Sequence, residues 1–147
     1  MIEAWLIDGC NLLHCFPSKN WYERLAGFAS AKQCLVMVVL DGVGDDAEFE
    51  KVRTDFFHIV YAQNTSADCA IERHLFQNKG KASFTVVTND RTILDMATGL
   101  GARVMKNNVF VEFLKETEHN TNNILWEQKL DSHGFHRPFD EKLKDLE

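Results

Sequence analysis

The sequence predicts an α/β domain built on a parallel sheet, and three observations carry that expectation. Short apolar runs alternate along the chain with longer segments of helical character, the pattern of successive β–α–β units. The runs Ala4-Trp5-Leu6-Ile7 and Leu35-Val36-Met37-Val38-Val39-Leu40 contain no polar residue, as buried strands do not. Four segments end in, or run straight into, an acidic residue: Asp8, Asp41, Asp68 and Asp90. In an open parallel sheet, functional groups gather at the carboxyl ends of the strands.

At 147 residues and 45% hydrophobic content, the chain has the size of one domain with a core of its own. Residues 2–7 read as the first strand, followed by a turn at Asp8-Gly9-Cys10-Asn11. Ser18 is placed to cap a helix reaching about Gln33, with Trp21, Leu25 and Phe28 on one face. Residues 34–40 form a second strand, and 41–46 a polar, glycine-containing loop. Residues 47–54 suit a short helix, and 56–61 a third strand. Thr65 with Asp68 fits a capping pattern that opens a helix ending near Gly80. Residues 83–88 form a fourth strand. Asp90 starts a helix that stops near Gly99 or Gly101, and 102–105 form a short fifth strand. Asn107 or Asn108 caps a helix through about Glu116. Beyond His119, Asn120-Thr121-Asn122-Asn123 has the composition of a linker. A short helix at 124–130, a loop at 132–138 and a final short helix follow, with Trp126, Phe135 and Phe139 suited to docking.

Several function classes are excluded early. No apolar run approaches the roughly 18 residues of a membrane helix. The start, Met1-Ile2-Glu3-Ala4-Trp5, lacks the basic stretch of a signal peptide and reads as a strand, so a cytoplasmic location is expected. Cys10, Cys15, Cys34 and Cys69 include no CxxC pair and are expected as reduced thiols; Cys10, His14 and Cys15 match no zinc spacing. Gly99-Leu100-Gly101-Ala102-Arg103 is a helix stop and lacks dinucleotide-loop spacing. Neither a P-loop nor a nucleophile-elbow motif occurs.

The carboxylates carry the chemistry. Acidic groups meeting at strand ends repel one another unless a cation lies between them, and hard oxygen donors favour Mg²⁺ or Mn²⁺. Asp8, Asp41, Asp68 and Asp90 are therefore the expected catalytic set, with Asp8, Asp68 and Asp90 as metal ligands. Glu72, one turn after Asp68, is a further acid on the same helix face. Asn11, Thr88, Asn89 and Arg73 are the expected contacts to a substrate phosphate or to a water beside it. Asp45, Asp46 and Asp95 read as solvated charges. The net charge of −6 leaves −2 once the four site acids are set aside. That balance is compatible with RNA, through a small contact area or a partner that holds the RNA.

In order, Leu6-Ile7-Asp8-Gly9-Cys10-Asn11, Val38-Val39-Leu40-Asp41, Thr65-Ser66-Ala67-Asp68 with Glu72, and Val87-Thr88-Asn89-Asp90 resemble the motifs of the YacP-like branch of the NYN domains. These lie within the PIN-like nuclease superfamily. The resemblance covers roughly residues 2–116. It implies a PIN-like three-layer α/β/α fold with a central parallel sheet of about five strands. It also implies a Mg²⁺- or Mn²⁺-dependent endoribonuclease, acting in some relatives on mRNA at the ribosome. Cys10 replaces the usual aromatic residue and Asn89 the usual serine. Cys69 stands where a carboxylate is often found, which removes a ligand for a second ion. On this reading residues 1–118 form the nuclease domain, and 119–147 are an extension packing on the domain or a partner. The protein is a monomer or homodimer with no membrane association, and single-stranded RNA or mRNA is the substrate. A non-catalytic RNA-binding adaptor and a metal-dependent phosphatase are the competing readings. The phosphatase is disfavoured because Gly9-Cys10 follows Asp8 where a second aspartate would be needed.

Overall fold

The computed structural model describes residues 2–132, and their side chains as far as Thr121 with Asp46 excepted. Five parallel strands form one sheet: β1 (Ile2–Asp8), β2 (Leu35–Leu40), β3 (Phe57–Tyr61), β4 (Ala82–Val87) and β5 (Arg103–Met105). Their spatial order is β3-β2-β1-β4-β5. The chain thus builds outward from β1 in one direction, then returns to β1's other side to start β4. In register, Ile7 lies beside Val38 on one side and Val87 on the other.

Alternation along the strands sorts the core into two halves. Trp5 and Ile7 of β1, with Val36, Val38 and Leu40 of β2, face helices α1 (Gly9–Cys15), α2 (Trp21–Lys32) and α5 (Asn107–Ser132). Leu12, Leu25, Phe28, Phe110 and Leu114 complete that layer. Ala4 and Leu6 of β1 face the other way, with Val39, Phe84 and Val86, toward α3 (Ala67–Gln77) and α4 (Arg91–Gly99). Ile71, Leu75, Ile93 and Ala97 are the helical side of this half. The result is the expected three-layer α/β/α arrangement. An aromatic knot gives the first half its bulk: Trp5 meets Phe28 edge-on at 5.3 Å, and Phe110 at 5.7 Å. Among the described residues, no helix is long and apolar enough to cross a membrane.

Four local expectations are corrected. No turn follows β1, because α1 begins at Gly9, immediately after the strand. Ser18 is not the cap of α2: its hydroxyl donates to Asn20 Oδ1 at 2.9 Å, and Asn20 occupies the N-cap. The short helix after β2 shrinks to a 3₁₀ turn, Asp46–Phe49, where Asp45 Oδ1 accepts from the Ala47 N–H. Phe49 anchors that turn against Trp21 and Tyr61. Ser66, not Thr65, caps α3. Thr65 spends its hydroxyl on the Ala62 carbonyl, while Ser66 has extended backbone and accepts from the Cys69 N–H.

The largest difference is α5, a single helix of 26 residues that passes straight through the expected linker. Asn and Thr each cost a helix only about 0.7 kcal/mol or less, and no Gly or Pro interrupts this segment. Thr117 and Thr121 turn their hydroxyls back onto the Phe113 and Thr117 carbonyls, which satisfies them within the helix. The loop and last helix expected beyond 132, with Phe135 and Phe139, lie outside the described residues.

Candidate active site

The strand order creates a switch point between β1 and β4, where successive connections leave the sheet in opposite directions. In open α/β sheets the crevice outside the carboxyl ends at such a point is where ligands bind. β1 ends there in Asp8, and β4 ends at Val87, directly before Thr88. Asp41 follows the end of β2 next door, and Asp90 caps α4. Four of the residues singled out in the sequence therefore converge by topology.

Asp8 is 6% exposed and stands at the N-cap of α1, where the Asn11 N–H comes near its carboxylate without reaching full capping geometry. The carboxylate accepts from the Thr88 hydroxyl at 3.1 Å. Burial raises its pKa above the ordinary value of 3.8, and the charges of Asp41 and Asp90 push the same way; the Thr88 hydroxyl and the Asn11 backbone amide oppose them. Gly9 makes this placement possible. A Cβ there would lie 2.7 Å from both Leu40 Cδ2 and Val38 Cγ1, and 3.3 Å from the Val39 carbonyl oxygen. Only a residue without a side chain lets α1 start this close to β2.

Thr88 is wholly buried and is the hub of the β4 turn. Its oxygen accepts from the Asp90 N–H at 3.0 Å while its proton serves Asp8, the stronger acceptor, or Asn11 Oδ1 at 3.3 Å. Asp90 Oδ1 accepts from the Thr92 N–H, which leaves its second oxygen free. Asn11 Oδ1 also accepts from the Asn89 N–H at 2.9 Å and from Asn107 Nδ2 at 2.7 Å.

Asp41 links the site to α3, which carries Asp68. Asp41 Oδ1 accepts from the Ala67 N–H at 2.7 Å, so it caps the helix that carries Asp68. Asp68 is half-exposed in the first turn, where the Ser66 hydroxyl holds its pKa below the ordinary value. Glu72 and Arg73 are exposed on α3, and neither forms a salt bridge with another described residue. Among the described residues, no three His, Cys, Asp or Glu side chains close on one point as a ready-made metal cage. A cavity of about 580 Å³ between α2 and α5, and one of about 320 Å³ at the amino ends of the strands, are lined by other residues.

Sequence reasoning missed two contributors. Asn107 was legible only as a helix cap, although its side chain is buried in the site. Cys15 was legible only as a thiol, and its Sγ lies 3.6 Å from the amide nitrogens of both Asn89 and Asn107. Both join the site through contacts more than 70 residues apart in the chain, which no local pattern reports.

Comparisons with known proteins point to one family and one fold. A family model for the YacP-like NYN domain fits residues 5–146, a span that includes the tail beyond the recognisable motifs. The crystal structure of Rae1 (YacP) from Bacillus subtilis superposes with a TM-score of 0.73 at 19% identity, covering 97% of this chain and 91% of that one. A mutant of the same protein gives 0.69 at 18% identity, covering 99% and 100%. A mutant T5 5′-exonuclease gives 0.50 at 14% identity, over 72% of this chain and 49% of that one. No curated protein matches the sequence. At these identities the structural likenesses establish the fold.

Proposed function

The chain belongs to the YacP-like NYN domain family, and from that premise we propose that it is a divalent-metal-dependent endoribonuclease hydrolysing phosphodiester bonds in RNA. The observation that carries the reading is Asp8: a buried carboxylate at the switch point, facing two further carboxylates, with its pKa raised. A stability-driven fold would not gather like charges there, whereas perturbed acids in a crevice are the signature of a working site.

The donor set fits Mg²⁺ or Mn²⁺. All the groups are carboxylate oxygens, and Mg²⁺ is commonly held by one or two carboxylates with water completing its shell, so a closed protein cage is not required. Asp8, Asp90 and Asp68 would hold the ion, Asp41 serving as a further ligand or as a base through water. When bound, such an ion polarises a phosphoryl oxygen and lowers the pKa of a coordinated water. The residues of the chain do the rest. Thr88 holds the Asp8 carboxylate, and its neighbour Asn89 braces the turn. The second oxygen of Asp41 would take a proton from the attacking water. The Asn11 side-chain amide nitrogen donates to no other described group, and Arg73 is the nearest cation on α3. Both suit phosphate oxygens.

RNA as substrate follows from the family and from the open form of the site, which suits an unpaired strand with splayed bases. With a net charge of −6 the protein supplies little cationic footprint of its own. We therefore place the substrate as mRNA presented by the ribosome in the cytoplasm. The test is a gel assay of pure protein on single-stranded and structured RNA with Mg²⁺, Mn²⁺ or EDTA. Metal-dependent internal cleavage, lost in Asp8→Asn, is the expected result. Binding without cleavage under every metal condition would replace this reading with that of an RNA-binding adaptor.

A further inference from the structure

We infer that Asn107, the first residue of α5, is a positioning residue for this site, holding Asn11 and the Thr88–Asp90 turn in one arrangement. The inference rests on the proposed nuclease reading for its activity arm only.

The orientation of three side-chain amides follows from main-chain groups that can only donate. The Asn89 N–H points at Asn11 from 2.9 Å, so the facing atom of Asn11 is its oxygen. Asn107 approaches that oxygen at 2.7 Å, so it presents its nitrogen. The Asn107 N–H lies 2.9 Å from the Asn89 side chain, which must turn its oxygen there. The result is a closed ring of contacts from α1 to the β4 turn to α5 and back. It leaves the Asn11 amide nitrogen as the group free to meet a ligand.

This ring has a cost that marks its purpose. Asn107 is wholly buried, and among the described residues no donor reaches its Oδ1. A buried acceptor without a partner destabilises a fold. Such breaches of local satisfaction are expected where geometry serves function. Truncating Asn107 removes that orphaned acceptor together with the donor, so stability should change little while the site loosens.

The experiment compares the full chain with Asn107→Ala and Asn107→Asp, the latter keeping the shape but replacing the donor by an acceptor. Asn107→Ala is expected to melt within a few degrees of the parent. Its kcat on RNA should fall at least about tenfold, with a smaller change in KM. In ¹⁵N NMR without metal, the side-chain amide of Asn11 and the backbone amide of Asn89 should shift, and Asn89 should lose exchange protection. Asn107→Asp should move the same signals further. Unshifted Asn11 and Asn89 signals, or a large drop in melting temperature with unaltered cleavage, would overturn the inference. If the parent protein cleaves no RNA, the nuclease reading fails and the NMR comparison still decides the role of Asn107.

Discussion

Ionising Asp8 works against the fold. Its folded pKa is raised, first by burial and then by Asp41 and Asp90. The native state therefore binds more protons than the unfolded chain between 3.8 and the folded pKa, and stability falls as pH rises through that window. Above the folded pKa the whole penalty is present. Asp8→Asn keeps the shape and discards the charge, so without metal it should melt higher than the parent at pH 7, the gain shrinking toward pH 4. Each kcal/mol recovered appears as roughly 3 °C at this chain length. The same substitution, and Asp90→Asn, should each lower RNA cleavage at least about a hundredfold, as the loss of a group stabilising the transition state typically does. Thermal melts in EDTA across pH and a cleavage assay check both halves; full activity in either variant sinks the assignment. Gly9 supports Asp8 from behind. Gly9→Ala would gain helix propensity of about 1 kcal/mol. The added methyl, however, meets two strand side chains at 2.7 Å and a carbonyl oxygen at 3.3 Å that cannot rotate away. Overpacking of this kind costs about 1–3 kcal/mol, so a net loss in urea unfolding is expected. The sequence showed Asp-Gly only as a turn signal, since a glycine needed for close approach and one needed for a turn look alike before the partner strand is known.

At the scale of elements, the strands were legible and the helix boundaries less so. β1 and β2 announce themselves because strands buried on both faces leave uninterrupted apolar runs. A parallel sheet of about five strands was implied by the family resemblance, while the strand order and the two-sided sorting of Trp5 and Ile7 against Ala4 and Leu6 emerge only from the fold. Boundaries that depend on a single hydroxyl were misplaced at Ser18 and Thr65, where a neighbouring Asn20 or Ser66 took the cap. α5 was misjudged because polarity was read as a break, when only tertiary support decides whether a polar helix persists. That support is visible: Arg24 on α2 donates from Nε and Nη2 to both oxygens of Glu118 at 2.9 and 2.8 Å. Truncation after about Glu118 leaves the pair on a fraying end. It should lower the melting temperature or change the oligomeric state while residual metal-dependent cleavage remains, because the site acids all precede α5. A truncated chain as stable and monomeric as the parent but inactive would show that the segment from 119 belongs to the catalytic machinery.

For the whole molecule, the placement of charge sets up a linkage between folding and cation binding. The carboxyl ends of β1 and β2 and the first turns of α3 and α4 bring Asp8, Asp41, Asp68 and Asp90 to one side of the sheet. The apolar core lies behind them and offers no compensating cation. Among the described residues, the ion pairs of Arg24, Arg53, Arg91 and Arg103 are all made with Glu118, Glu50, Asp95 and Glu3, none of them a site acid. The folded state thus holds uncompensated negative charge in a fixed arrangement that the unfolded chain does not possess. An ion bound only by the native state adds RT ln(1 + [L]/Kd) to stability, about 2.7 kcal/mol at a hundredfold excess over Kd. Melting temperature should therefore rise between EDTA and millimolar Mn²⁺, by several degrees at saturation. In Asp8→Asn the same titration should shift it far less, even though that variant begins from a higher metal-free value. A general salt effect is separated by a control: screening would be matched by a monovalent salt of equal ionic strength, whereas specific binding would not. A parent melting curve that does not move with Mn²⁺ or Mg²⁺ would remove the metal from the proposed mechanism while leaving the fold and its family untouched.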